Sequence, residues 1–511
     1  MICKIHSVSV TSLSPELVEI EADILRSLPS FSVVGLGDTA VQESKERVRS
    51  AIKNSGAIFP AHKITVNLAP GDTKKTGPSF DLPIALSILI SSGQAIPDKL
   101  DKTLVVGELS LDGKLRHVNG VLPIALFARE HGFTKLLLPK VDALEASLVE
   151  GIEILPAETL QQIVSYLAGD VELEKITPLH LSDLQKDIHY DTDMAMIKGQ
   201  EHAKRALEIA AAGGHNLLFN GPPGSGKTLL ARTFRTILPK LTLDEALEVT
   251  KIYSIAGLLP ADKPLITERP FRVIHHSASA ISIVGGGKTP SPGEISLAHK
   301  GVLFMDEFPE FPRNVLEIIR QPLEDGEITV SRVQGTVTFP AQFTLIAAMN
   351  PCPCGFLTDP DKECSCLPNQ IVKYQKKISG PILDRIDMFV EVPRLKVDKL
   401  QTKIEAESSE KIRERVQYAR DRQTRRFQGT PYSNNKEIKQ KDLKTFCPVQ
   451  EEAEMLLKQA TTQMQLSGRS YFRIIKLART IADLDGQDII QTSHIAEALQ
   501  YRKKDSSLPS V

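Results

Sequence analysis

Apolar and polar positions along this chain follow two rhythms. Short apolar runs closed by glycine, proline or acidic residues recur at 31–34, 63–68, 103–106, 135–139, 216–220, 301–305 and 343–349, and each predicts a buried strand. Between them lie stretches that predict helices, at 39–55, 81–91, 122–131, 202–212 and 228–237. The stretch 326–339 alternates with period two around Gln334-Gly335, the signature of a β-hairpin. After residue 393 only helical patterns remain, at 410–427, 471–484 and 494–501. The order of elements predicts an α/β chain with a helical end.

A length of 511 residues allows about three domains. The pattern divides the chain into an α/β domain over 1–167, a polar linker over 168–196, a second α/β unit over 197–392 and a helical lid over 393–511. The linker opens with Gly169-Asp170-Val171-Glu172 and shows no sustained period. The apolar run 82–90 is too short to cross a bilayer, which takes about 20 residues. The first residues carry no signal-peptide pattern, so a cytoplasmic location with no membrane association is the expectation. A net charge of −1 neither advertises nor excludes nucleic acid, because a pore can be basic on a neutral protein.

One stretch carries explicit chemistry. Gly221-Pro222-Pro223-Gly224-Ser225-Gly226-Lys227-Thr228 lies between a predicted strand and a predicted helix and fits the phosphate-loop pattern. Its glycines let backbone N–H groups close on a polyphosphate, and the following helix offers its positive end. Lys227 can reach the β- and γ-phosphates of ATP, and the Thr228 hydroxyl can hold Mg²⁺. A second apolar run ends in Asp306 and Glu307. Asp306 suits a Mg²⁺ ligand acting through water, and Glu307 suits the base that polarises the attacking water.

Four of the six cysteines, Cys352, Cys354, Cys364 and Cys366, form C-x-C…C-x-C within 351–367. Four thiolates suit tetrahedral zinc in a closed structural site, although the one-residue spacing is tighter than usual; free thiols are the other reading. The predicted helix 410–427 carries Arg413, Arg415, Arg420, Arg422, Arg425 and Arg426. A solvated face is one account of these arginines; contact with a nucleic-acid backbone or a neighbouring subunit is the other.

Several motifs carry resemblances. The segments 67–79 and 107–115 resemble the serine-bearing part of Lon-type proteases, whose domain has the ribosomal-protein-S5-like α/β fold. Ser79 stands at the nucleophile's place, and Leu122 stands where the base lysine should fall, which makes a non-proteolytic scaffold the expectation. Gly199-Gln200 ahead of the phosphate loop is similar to the turn that packs near adenine in AAA+ ATPases. That resemblance places sensor 1 at Asn350, an arginine finger toward the next subunit's nucleotide at Arg385, and sensor 2 at Arg469, with Arg473 as its rival. An ion pair of Arg385 with Asp384 or Asp387 is the plainer alternative. The glycine run 284–290 with Lys288, and the hairpin 326–339 with Arg332, resemble the helix-2 insert and pre-sensor-1 hairpin of the clade that holds magnesium chelatases and MCM helicases.

Together these segments identify the chain as similar to the ComM/YifB family of magnesium-chelatase-like AAA+ proteins. The resemblance implies a homo-oligomer, a hexameric ATPase using ATP and Mg²⁺, that acts on single-stranded or branched DNA in recombination during natural transformation. A metal-insertion chaperone of the magnesium-chelatase kind is the alternative, and an ATP-dependent Lon-like protease the third.

Overall fold

The structure is a computed structural model that describes residues 4–10, 13–72, 75–177, 179, 190–260, 262–287, 290–332, 335–395 and 406–502, apart from the side chains at 332 and 335. The amino-terminal part is built on a seven-stranded sheet. Its strands are β1 (Lys4–Ser9), β2 (Glu16–Leu25), β3 (Ser30–Val34), β4 (Lys63–Ala69), β5 (Thr103–Val105), β6 (Lys135–Pro139) and β7 (Glu153–Ala157), in the order β3-β4-β2-β1-β5-β6-β7. β1–β2 and β2–β4 are antiparallel, and the other neighbours are parallel. The helices Thr39–Asn54 and Asp81–Ser91 cover one face. Asp81–Ser91 is buried along nearly its whole length, which explains its lack of a polar side. The helix Val121–Glu130 covers the other face.

Part of the predicted linker lies against this domain. Leu173 is buried in its core and Glu174 sits 3.3 Å from Lys140. Residues 180–189 of that linker lie outside the described residues.

The second sheet is five-stranded and wholly parallel. Its strands are β8 (Leu217–Asn220), β9 (Phe271–Ile274), β10 (Val302–Met305), β11 (Thr344–Met349) and β12 (Met388–Glu391), in the order β9-β10-β11-β8-β12. Both faces are covered, so its central strands read as unbroken apolar runs. Alternate residues serve different cores. Leu217, Phe219, Phe304 and Ile346 join the helix Glu201–Gly213 and the lid helices Ser409–Arg426 and Gly468–Leu484. Leu218, Leu303, Met305 and Leu345 face the helix Arg313–Asp325 and the hairpin Glu327–Arg332/Gly335–Pro340. This division follows from the strand period of two.

The glycine run forms a second, small hairpin, Gly285–Gly286 with Ser291–Pro292, in contact with the first; Lys288 lies outside the described residues. The helix expected over 228–237 is α-helical over Lys227–Thr233 and tightens to a 3₁₀ turn over Phe234–Ile237.

The amino-terminal domain rests on the helix Leu243–Ile255 of the second unit. Ser254 Oγ donates to Glu145 Oε1 at 2.6 Å, and Gly120 N donates to the Ser254 carbonyl at 3.2 Å. Leu122 N also donates to Glu145 Oε1, at 2.7 Å. Burial pushes the Glu145 carboxyl up to about 7.

Candidate nucleotide site

β8 delivers the chain to the turn 221–226 at the carboxyl end of the parallel sheet. Gly221 is pressed against the neighbouring strand, and a Cβ there would lie 2.2 Å from the Val392 carbonyl oxygen. Gly226, with φ +92°, turns the chain into the helix Lys227–Thr233. Lys227 is buried beneath this turn. Its Nζ donates to the carbonyls of Gly221 at 2.6 Å and Pro222 at 2.8 Å, and to Asn350 Oδ1 at 3.1 Å. Burial lowers its pKa, and Asp306 partly opposes that.

The acids come from the end of β10. Thr228 Oγ1 donates to Asp306 Oδ2 at 2.7 Å, and Glu307 N donates to Asp306 Oδ1 at 2.9 Å. Glu307 has φ +51°, a left-handed turn that carries its carboxylate off the strand axis. His276, just beyond β9, places Nδ1 3.1 Å from Glu307 Oε2. Lys227, Thr228, Asp306, Glu307 and Asn350 thus meet at one edge of the sheet. Gln200 closes the side, donating to the Pro393 carbonyl at 2.7 Å and the Ser225 carbonyl at 3.5 Å.

The expected arginines lie elsewhere. Arg385, Arg469 and Arg473 line a cavity of about 610 Å³ between core and lid, together with Asn216 and Thr344, which stand at the amino ends of β8 and β11. Arg385 is buried, donates to the Pro381 carbonyl at 2.6 Å and is ion-paired with Glu324, rather than with Asp384 or Asp387. Arg473 lies 3.5 Å from the buried Asp387 carboxylate. Burial works to raise the pKa of that carboxyl, yet His215, Arg473 and Lys436 together hold it below the usual range. Burial lowers the pKa of His215 itself to about 4, against the pull of Asp387. Arg469 is exposed at the start of its helix.

Sequence reasoning missed His276 as a neighbour of Glu307 and Glu324 as the partner of Arg385, and it set Asp387 beside Arg385 rather than Arg473. No spacing links them to their partners; His276 and Asp387 flank strand ends, while Glu324 lies in the last turn of the helix Arg313–Asp325.

The arginine-rich helix has its charges occupied within the chain. Arg415 pairs with Glu208 at 2.6 Å, Arg426 with Asp483, and Arg420 donates to the Ala211 carbonyl at 3.1 Å. Arg422 pairs with Asp488, Arg413 reaches the Thr236 carbonyl at 3.4 Å, and Arg425 reaches the Asp421 carbonyl on its own helix. Most of these side chains join lid to core or lid helix to lid helix, which departs from the solvated-face reading, while Arg415 and Arg425 stay exposed.

In the amino-terminal domain, Lys75 is buried and donates to the Pro70 carbonyl, while Lys74 lies outside the described residues. Leu122, in the place of a base lysine, is wholly buried.

The four cysteines converge. Their Sγ atoms all lie within 4.8 Å of one another, and none forms a disulfide.

The comparisons agree with this layout. The model described as "Magnesium chelatase, subunit ChlI" matches residues 193–400. "Subunit ChlI of Mg-chelatase" matches 20–142, and "Magnesium chelatase, subunit ChlI C-terminal" matches 406–502. The competence protein ComM of Haemophilus influenzae is 44% identical over 98% of this chain and 97% of its own length. The YifB protein of Escherichia coli K12 is 42% identical over 99% of this chain and 97% of its own. The chain belongs to the ComM/YifB family.

A Lon protease of Chloroflexus aurantiacus is 24% identical over 30% of this chain and 20% of its own length, a likeness in the amino-terminal region. The ComM/YifB chain therefore joins a Lon-like α/β domain, a magnesium-chelatase-like AAA+ core and a helical end, and its family implies ATPase activity with ATP and Mg²⁺. The residues present fit that pair. Ser225 Oγ and Asn220 Oδ1 are buried at the turn with no hydrogen-bond partner, as expected of atoms that await a polar ligand. Among the described residues, no helix is long and apolar enough to cross a membrane.

Proposed function

We propose that the chain is one subunit of an ATP-hydrolysing ring that moves on DNA and migrates branched junctions during recombination in natural transformation. In this reading the backbone of 221–226 and Lys227 hold the phosphates, and Lys227 exchanges its loop carbonyls for phosphate oxygens. Thr228 and Asp306 hold Mg²⁺, which neutralises phosphate charge. Glu307 takes the proton of the attacking water, and Asn350 orients that water. The four thiols hold a structural Zn²⁺.

The observation that carries the ring is the split of the site. The phosphate loop leaves the carboxyl end of β8, while the arginine cavity opens beyond its amino end. The five residue steps from Asn216 to Gly221 span roughly 16 Å at a strand's rise per residue. Arg385 and Arg469 therefore serve the nucleotide of the next copy in a head-to-tail ring. The adjacent hairpin segments, whose sequences include Lys288 and Arg332, would face the DNA. The place in transformation rests on the likeness to ComM.

The test is ATP turnover with and without forked DNA, with oligomer mass measured alongside. Forked or single-stranded DNA is expected to raise turnover of a ring-sized species, and Lys288→Ala and Arg332→Ala to abolish the stimulation. A ring whose turnover ignores every DNA form overturns the DNA reading. The matches to magnesium-chelatase models favour a second reading, a metal-insertion or remodelling chaperone, in which a partner protein rather than DNA raises turnover.

A further inference from the structure

The four-cysteine loop sits against the nucleotide site. Asn350 is followed directly by Pro351 and Cys352, so the polar group at the end of β11 and the first thiol share one short piece of backbone. Cys352 is wholly buried. The loop then turns back on itself, with Gly355 N donating to the Cys352 carbonyl at 3.0 Å. Gly355 has φ +86°, and a Cβ there would lie 2.6 Å from Pro223 Cδ and 3.8 Å from Asn350 Cγ. The turn of the cysteine loop is therefore laid flat on the proline of the phosphate loop, beside the Asn350 side chain that accepts from Lys227. Gln375 holds the same stretch from behind, donating to the Pro351 carbonyl at 3.2 Å.

The sulfur geometry states what would keep this loop in place. Cys352 and Cys354 lie 3.4 Å apart, Cys352 and Cys364 3.7 Å, and Cys354 and Cys364 3.5 Å. A tetrahedron of sulfurs about 2.3 Å from a zinc ion has edges of about 3.8 Å, so one ion fits among the thiols with little movement. Cys354 N points at Cys366 Sγ from 3.3 Å, the kind of N–H contact that supports a thiolate. Few packed apolar groups could replace the ion, because Cys354, Cys364 and Cys366 are only half-buried and Leu357 and Leu367 are exposed.

We propose that zinc bound by Cys352, Cys354, Cys364 and Cys366 is a brace for the nucleotide site, fixing Asn350 and Pro223 so that affinity and turnover depend on the metal. This rests on the reading of 221–228 as an ATP site. The zinc takes no part in the reaction, since all four positions are filled by the chain.

The test uses the full chain as purified. Metal analysis is expected to find about one zinc per chain, lost in Cys364→Ser/Cys366→Ser. Extraction with a zinc chelator in excess Mg²⁺ is expected to weaken binding of fluorescent ADP and to lower ATP turnover about tenfold or more, as displaced positioning groups do. Added Zn²⁺ should restore both, which separates the brace from irreversible unfolding. Gly355→Ala should keep its zinc and still bind nucleotide less tightly, because its new methyl group strikes Pro223. Purified chain without zinc overturns the metal site. Bound zinc whose removal leaves affinity and turnover unchanged overturns the brace. Zinc-loaded chain that binds no nucleotide overturns the ATP-site reading, and the brace with it, while the metal count stands.

Discussion

Lys227 makes three hydrogen bonds inside the chain, two of them to carbonyls of its own loop. Such an ammonium ties the loop together, and in the proposed ATP site it then changes partners. Lys227→Ala is therefore expected to abolish binding of a fluorescent nucleotide. Glu307→Gln should bind nucleotide as the parent does and turn it over about a hundredfold more slowly, as the loss of a general base does; turnover at the parental rate would reject Glu307 as the base. At this scale the sequence was legible where chemistry is contiguous, as in 221–228 and 306–307. It was silent where partners meet from afar. His276 reaches Glu307 from a different strand, and Glu324 reaches Arg385 across 61 residues, with no period to announce either.

Elements were legible where one face decides them. The helix Asp81–Ser91 and the strand Lys135–Pro139 fall where the apolar pattern put them. The lid helix begins earlier than 471 because Ser467 caps it, its hydroxyl accepting from Ser470 N at 3.3 Å. Composition alone misread the arginines of the helix Ser409–Arg426, since a count of charges does not show which carboxylates and carbonyls wait across the packing surface. The seam between the amino-terminal domain and the helix Leu243–Ile255 was not legible at all. Its pH dependence can be worked out. The Glu145 carboxyl is raised, mainly by burial, to about 7 in the folded chain, so the neutral form is favoured there. Its contribution is complete below the unfolded value near 4.5 and is lost as pH rises through about 7. His117, raised to about 9 chiefly by its bond to Asp142, acts in the same direction at higher pH. Melting temperature is expected to fall from about pH 4.5 to about pH 9, and Glu145→Gln should flatten the part of the fall below about pH 7 without removing the part due to His117.

The phosphate loop and the arginine cavity lie at opposite ends of the strands of one sheet, and in the proposed ring each copy supplies half of a shared site. Lys227→Ala and Arg385→Ala should each be inactive alone, for different reasons. Mixed in equal amounts, they should recover up to about a quarter of parental turnover, because about one interface in four then pairs an intact Lys227 with an intact Arg385. No recovery in mixed rings, or full activity of an Arg385→Ala ring, would reject the shared site. Stability sets a limit on such experiments. Phe219 is fully buried in the core common to sheet and lid, and Phe219→Ala is expected to cost about 3–5 kcal/mol, read by denaturant unfolding.

The division of β8 has a practical consequence. Phe219 looks toward the lid and Leu218 toward the hairpins, so one strand forms a party wall between two packed compartments. Substitutions that conserve volume on one side of the wall retune one compartment and leave the other its original packing. If the proposed DNA motor holds, a screen confined to Leu218, Leu303 and Leu345 would look for chains that still hydrolyse ATP and no longer grip, and the same screen at Phe219, Phe304 and Ile346 for chains that grip and no longer reset.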